Sequence, residues 1–197
     1  MDMIMAQTAM DAVLKQWGAE IPTELQALRA EQIFVLHSTP LTYQTSFSVM
    51  WDAAFRKVVE AECIAARRPV PGATAAGAQL FGFVSATSSA LNRQRRIHIN
   101  PQSTDPNPIN AAAHEYIHFL SHVNFYPDYY KSGGDNPFRV GGATEWLALM
   151  CFDQYGIAYQ AQLDKTFAWI QADSGNVPRL LAFVFRGIYT DLSSIHP

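Results

Sequence analysis

His114 and His118 stand four residues apart in the run HEYIH, with Glu115 directly after the first of them. On a helix that spacing turns both imidazoles to one face, one turn apart, where two ring nitrogens can grip a single zinc ion. Glu115 leaves the helix axis about a quarter turn away, placed to hydrogen-bond a metal-held water without displacing it. Zinc lowers the pKa of such a water toward neutrality. A neighbouring carboxylate then takes the proton as the water attacks a polarised carbonyl, and hands it to the departing amine. The residue types and their spacing therefore point to hydrolysis at one zinc ion, with Glu115 acting first as base and then as acid.

Two imidazoles do not complete a hydrolytic site, which takes three protein ligands and keeps one position open. The metzincin pattern needs Gly at position 121 and His at 124, and Ser121 and Asn124 stand there instead. His122 continues the i, i+4 row from His118 but lies roughly 12 Å along the axis from His114, so the three rings cannot converge on one ion. It reads as a supporting or surface residue. Glu145, in GGATEWLAL, is the one glutamate downstream of Glu115 and falls in the first turn of the next predicted helix. An antiparallel helix would aim it at the metal; a glutamate favoured there by the helix dipole is the competing reading. Asp128 and Asp135 in the intervening loop are rival ligands.

In HEYIH and in ATEWLA, the chain resembles the gluzincin metallopeptidases, the thermolysin-like group of zincins. The resemblance is confined to motifs within about residues 96 to 156. It implies an α+β zincin-like fold, one zinc ion, His114 and His118 as ligands, Glu115 as general base, Glu145 as third ligand, and a peptide or protein substrate. It departs from thermolysin four residues after the ligand glutamate, where Leu149 replaces an aspartate that orients the first histidine; Asp153 or a backbone carbonyl is expected to hold His114 instead. It also makes RRIHIN an edge strand lining the active-site cleft, whose free backbone groups would pair with an extended peptide, against the alternative of a simple internal strand. Zincins of this kind often use a Tyr or His to stabilise the oxyanion; Tyr126, Tyr129, Tyr130, Tyr189 and His122 are the candidates.

The elements that must position these residues follow from periodicity. Ile4, Met10, Val13, Leu14 and Trp17 predict a helix over Met3 to Trp17, ended by Gly18. QIFVLHS, from Gln32, predicts a strand before Pro40; His37 within it is assigned no chemistry. Residues 47 to 66 return to the helical period and RRPVPGATAAG breaks it as a surface loop. QLFGFVSAT and RRIHIN predict two short strands able to pair as neighbours. Asn107 as cap and Pro108 as first helical residue predict the start of the metal-binding helix, which runs through Phe125. YPDYYKSGGDNPFRVGG forms a long loop, the next helix begins after Gly142 and ends at Gly156, and two more cover about 158–171 and 177–189. With no internal repeat, residues 1–197 read as a single domain, with the N-terminal helix and strands in 1–106 and the metal-binding helices in 107–197.

Composition limits the partners. The chain has 197 residues, 49% of them hydrophobic, which suffices for a core without disulfide staples. A formal charge of -3 gives no positive field for nucleic acid or an anionic membrane surface. Cys63 and Cys151 match neither a clustered zinc site nor a disulfide framework and read as buried thiols. Asp2 and the amphipathic spacing after it are unlike a signal peptide, and no apolar run is long enough to span a bilayer. The expectation is a soluble chain, cytoplasmic at synthesis, with a leaderless export route leaving no mark. Alternatives stay open: an inactive zincin scaffold that binds a protein partner, a zinc hydrolase of non-peptide substrates, or a catalytic toxin or effector domain matched by an inhibitor or immunity protein.

Overall fold

Asp2 accepts a hydrogen bond from the Met5 N–H at 2.9 Å and so opens helix α1 (Met3–Trp17), whose bounds are those predicted. The computed structural model describes residues 2–36, 82–84, 97–99, 106–122, 125, 136–152, 160–188 and 190, with backbone alone for 82–84, 98–99 and 136–140. Ala6, Ala9, Met10, Val13 and Trp17 form the buried stripe of α1. Withdrawing a side chain such as Met10 or Val13 from water contributes about 1.5–3 kcal/mol.

A 3-10 turn (Gly18–Glu20) and two single-turn helices, α2 (Thr23–Gln26) and α3 (Ala30–Ile33), lead into strand β1 (Phe34–Leu36). The strand starts two residues later than the apolar run suggests, because side-chain amides cap the turn before it. Gln32 Oε1 accepts from the Arg29 N–H at 2.8 Å, and Gln7 Oε1 accepts from the Ala30 N–H at 3.0 Å. β2 (Gly82–Val84) and β3 (Ile97–Ile99) complete a sheet of order β1-β3-β2. β2 and β3 pair antiparallel, as neighbours, with Phe83 opposite His98; β1 joins the far side of β3 in parallel, with Val35 opposite His98. This corrects one expectation. β3, the core of RRIHIN, is the middle strand among the described residues, so its backbone groups are already paired on both sides and the edges belong to β1 and β2.

Four longer helices follow: α4 (Pro108–Leu120), α5 (Asn136–Leu149), α6 (Gln160–Ala172) and α7 (Asn176–Arg186). α4 is the central element. It packs against β2 and β3, against α1 and against α5, while α5 packs in turn on α6. Tyr116, Ile117, Met10, Ile97, Leu147 and Leu163 are fully buried in the resulting core. The molecule is a helix-rich α+β protein, and no helix among the described residues is long and apolar enough to cross a membrane.

Four helix boundaries differ from expectation: α5 ends at Leu149, short of Gly156, α7 ends at Arg186, short of Tyr189, where Gly187 turns left-handed, and two more have identifiable partners. α4 stops at Leu120, five residues short of Phe125, because Ser121 turns extended while its hydroxyl donates to Ile117 O at 2.7 Å, and the His122 N–H leaves the helix for Val184 O on α7 at 2.7 Å. α5 begins at Asn136, upstream of the predicted start after Gly142, and takes Gly141 and Gly142 into its interior. A Cβ at Gly142 would lie 2.6 Å from Gln162 Cβ and 2.8 Å from its carbonyl carbon. The glycine serves the close crossing of α5 and α6 rather than ending a loop. The predicted helix over 47–66 and its following loop lie outside the described residues.

Candidate metal centre

Asn107 Oδ1 accepts from the Asn110 N–H at 3.3 Å and Pro108 occupies the first turn, so α4 starts where the capping signal placed it. Its buried face carries Asn110, Ala113, His114 and Ile117, and this fixes the angular position of the histidines. His114 is buried and His118 half-buried. Their Nε2 atoms stand 3.0 Å apart, with ring centroids at 4.7 Å and planes inclined by 74°. Two imidazole nitrogens each about 2.0 Å from one tetrahedral ion stand about 3.3 Å apart, so the pair is within a few tenths of an ångström of the spacing a shared zinc demands.

Glu145 comes to this pair from α5, buried, in the third turn of that helix rather than in its first. Its Oε2 lies 2.7 Å from His114 Nδ1, and its Oε1 accepts from Asn110 Nδ2 at 2.9 Å. The carboxylate therefore sits on the side of the His114 ring away from Nε2, whereas the expected third ligand would converge on Nε2. It also supplies the acceptor for His114 that was sought at Asp153, a residue outside the described set. Thr144, the residue before Glu145, brings its hydroxyl to 3.5 Å from His118 Nδ1.

Glu115 is half-buried as a residue, but its carboxyl group is enclosed by protein. Burial pushes its pKa above the usual carboxylate range; positive charge on His114 opposes that rise and the nearby Glu145 carboxylate adds to it. A carboxylate so placed is a stronger proton acceptor than one in water.

Among the described residues, no group of three or more His, Cys, Asp or Glu side chains gathers as a metal-holding cluster. The two imidazoles fit a zinc ion; within the same set, a third ligand does not join them. Asp128, Asp135, His37, Cys63, Tyr126, Tyr129, Tyr130 and Tyr189 lie outside the described residues. His122 has left the helix and with it the i, i+4 row: it packs over Gly187, whose left-handed φ of 68° ends α7 and whose missing Cβ leaves room for the imidazole. A cavity of about 680 Å³ opens beside Phe119, His122, Leu25 and Phe185, and neither His114 nor His118 lines it. Sequence reasoning missed Asn110 and gave Thr144 no role at the site. Asn110 was within reach, since it stands four residues before His114 as His118 stands four after, on one helical face.

Compared with family models, curated proteins and solved structures, the chain finds no match.

Proposed function

We propose that the protein is a zinc-dependent peptidase in which His114 and His118 hold one zinc ion and Glu115 is the general base. The observation that carries this reading is the 3.0 Å approach of the two Nε2 atoms, with the enclosed Glu115 carboxyl one residue along the same helix. Zinc, when bound, supplies a Lewis acid that polarises the scissile carbonyl and acidifies water. Glu115 accepts the proton of the attacking water at its carboxylate and delivers it to the leaving amine. Burial raises the proton affinity of the carboxylate and so favours the first transfer, from water to Glu115. His114 is held at its other nitrogen by Glu145, so its ring enters the reaction already oriented. The gluzincin resemblance would make Glu145 the third ligand, but its carboxylate stands at Nδ1 of His114, so what the resemblance supplies to this reading is the substrate class, a peptide or protein.

The test is proteolysis of a peptide library by the zinc-loaded protein and by Glu115→Gln, with new termini identified by mass spectrometry. Removing a general base costs about 10²–10⁴-fold in rate, so the variant should keep its zinc and lose nearly all cleavage. Equal cleavage by both proteins removes Glu115 from the mechanism.

One observation favours a second reading, a metal-free zincin scaffold that binds a protein partner. The two histidines already satisfy each other at Nε2, and no third ligand joins them among the described residues. Zinc analysis of the native protein separates the two readings.

A further inference from the structure

A carboxylate only accepts hydrogen bonds, so the 2.7 Å contact of Glu145 Oε2 with His114 Nδ1 places a proton on Nδ1, and in the neutral ring the acceptor lone pair is then at Nε2. The second oxygen of Glu145 accepts from the Asn110 amide at 2.9 Å, which fixes the carboxylate plane from the opposite side. Asn110, Glu145 and His114 are all buried, at 3%, 2% and 5% exposure, so water does not compete for these bonds. In the metal-free chain the pattern continues in one sense. His118 Nε2–H donates to His114 Nε2 at 3.0 Å, and His118 Nδ1 faces the Thr144 hydroxyl. When both Nε2 atoms turn to a cation, the proton of His118 moves to its Nδ1, and the Thr144 hydroxyl changes from donor to acceptor without moving.

We infer that Glu145 is a positioning residue, not a metal ligand, and that Asn110 is its partner: together they lock His114 in the tautomer whose Nε2 can bind a cation. The two nitrogens of an imidazole face nearly opposite ways, so an oxygen bonded at Nδ1 cannot also reach an ion at Nε2. Glu145 thereby does the work that the gluzincin resemblance left without an owner at Leu149. The consequence for zinc affinity rests on the peptidase reading; the tautomer itself does not.

The experiment uses the full chain and long-range ¹H–¹⁵N NMR of the histidine rings, first without metal at mildly alkaline pH, then with zinc affinity measured by chelator competition. In the wild type, His114 shows a protonated Nδ1 and an unprotonated Nε2. Glu145→Gln offers one donor and one acceptor to two neighbours that both donate, so the His114 tautomer becomes mixed or reversed. Zinc affinity then falls about 10- to 100-fold with one ion per chain retained. Adding Asn110→Asp reverses the polarity of the relay: the new carboxylate accepts from the glutamine amide, whose oxygen again accepts from His114 Nδ1–H. Tautomer and zinc affinity should both return toward wild type in the double variant. A wild-type His114 protonated at Nε2 overturns the inference. So does a Glu145→Gln protein that keeps the tautomer yet cannot hold zinc, a loss the double variant fails to rescue, since that is how a ligand behaves. The expected tautomers in a chain that binds no zinc sustain the relay and remove the peptidase reading alone.

Discussion

Trp17, in the last turn of α1, donates its indole N–H to Leu147 O at 3.0 Å and lies 6.0 Å from Trp146, centroid to centroid, with ring planes 37° apart. Leu147 is two residues beyond Glu145, so this contact ties the stretch of α5 that carries the carboxylate to α1, which also packs on α4. The positions of His114 and Glu145 therefore depend on α1, which has no chemistry of its own.

Trp17→Phe removes the indole donor and part of a buried ring. A net hydrogen bond contributes about 1 kcal/mol and lost packing adds to it, so unfolding in urea should show a loss of about 1–3 kcal/mol. Ile4→Ala on the same helix, at a side chain 77% exposed, should fall within about 0.5 kcal/mol of wild type. Equal effects at the two sites would show that the contact holds nothing.

Gly142→Ala drives a methyl group into the backbone of α6 at Gln162, where the carbonyl oxygen is 2.9 Å from the new carbon. Overpacking of this kind costs about 1–3 kcal/mol and should lower the melting temperature by several degrees. At Gly18 the nearest obstacle is the end of the Gln26 side chain at 3.8 Å and φ is -54°, so Gly18→Ala should be neutral or slightly stabilising. A Gly142→Ala protein that melts with the wild type contradicts the close helix crossing.

Burial pushes the Cys151 thiol up to about 12, only partly offset by a hydrogen bond with the Trp17 side chain. The folded value lies above the unfolded one, so the stability its burial supplies is whole below about pH 8.5 and fades as pH climbs toward the folded value. At pH 8 the native thiol is neutral and poorly nucleophilic. Peptide mapping after iodoacetamide treatment should find Cys151 unmodified in native protein and fully alkylated in urea. Rapid labelling of native Cys151, which is half-buried, would contradict the raised pKa of its thiol.

Asp173, between α6 and α7, is held below the usual carboxylate range by the Gly175 N–H at 2.8 Å first and by Arg179 at 2.8 Å second. A depressed carboxylate contributes stability that is present above its unfolded pKa of about 3.9 and is lost as pH falls through the folded value. Urea midpoints followed into acid should therefore drop less steeply for Asp173→Asn than for wild type. Because the pair is exposed, the difference should be small. Parallel curves would remove Asp173 from the acid response.

Much of this arrangement was legible from local chemistry. Asn107 and Pro108 act within a turn of chain, and α4 begins where they dictate, while α1 keeps the bounds that its apolar period predicts. The facing of His114 and His118 follows from helical period alone. What was not legible was set by distant partners. Val184 draws the His122 N–H away and ends α4 early, and Gln162 explains Gly142, which read as a helix break. β1 entering parallel beside β3 makes a middle strand of one expected at the edge. Glu145 was found by its type, but whether it faces Nδ1 or Nε2 of His114 depends on Asn110 and on the register of α5 against α4.

The proposed chemistry stands on His114 and His118 sharing one cation. Elemental analysis of the chain, loaded with zinc and then dialysed against metal-free buffer, reads that sharing without reference to any substrate. About one zinc per chain is expected in the wild type and background levels in His118→Ala, with the helical circular dichroism of both unchanged. A wild-type protein that retains no zinc after loading contradicts it.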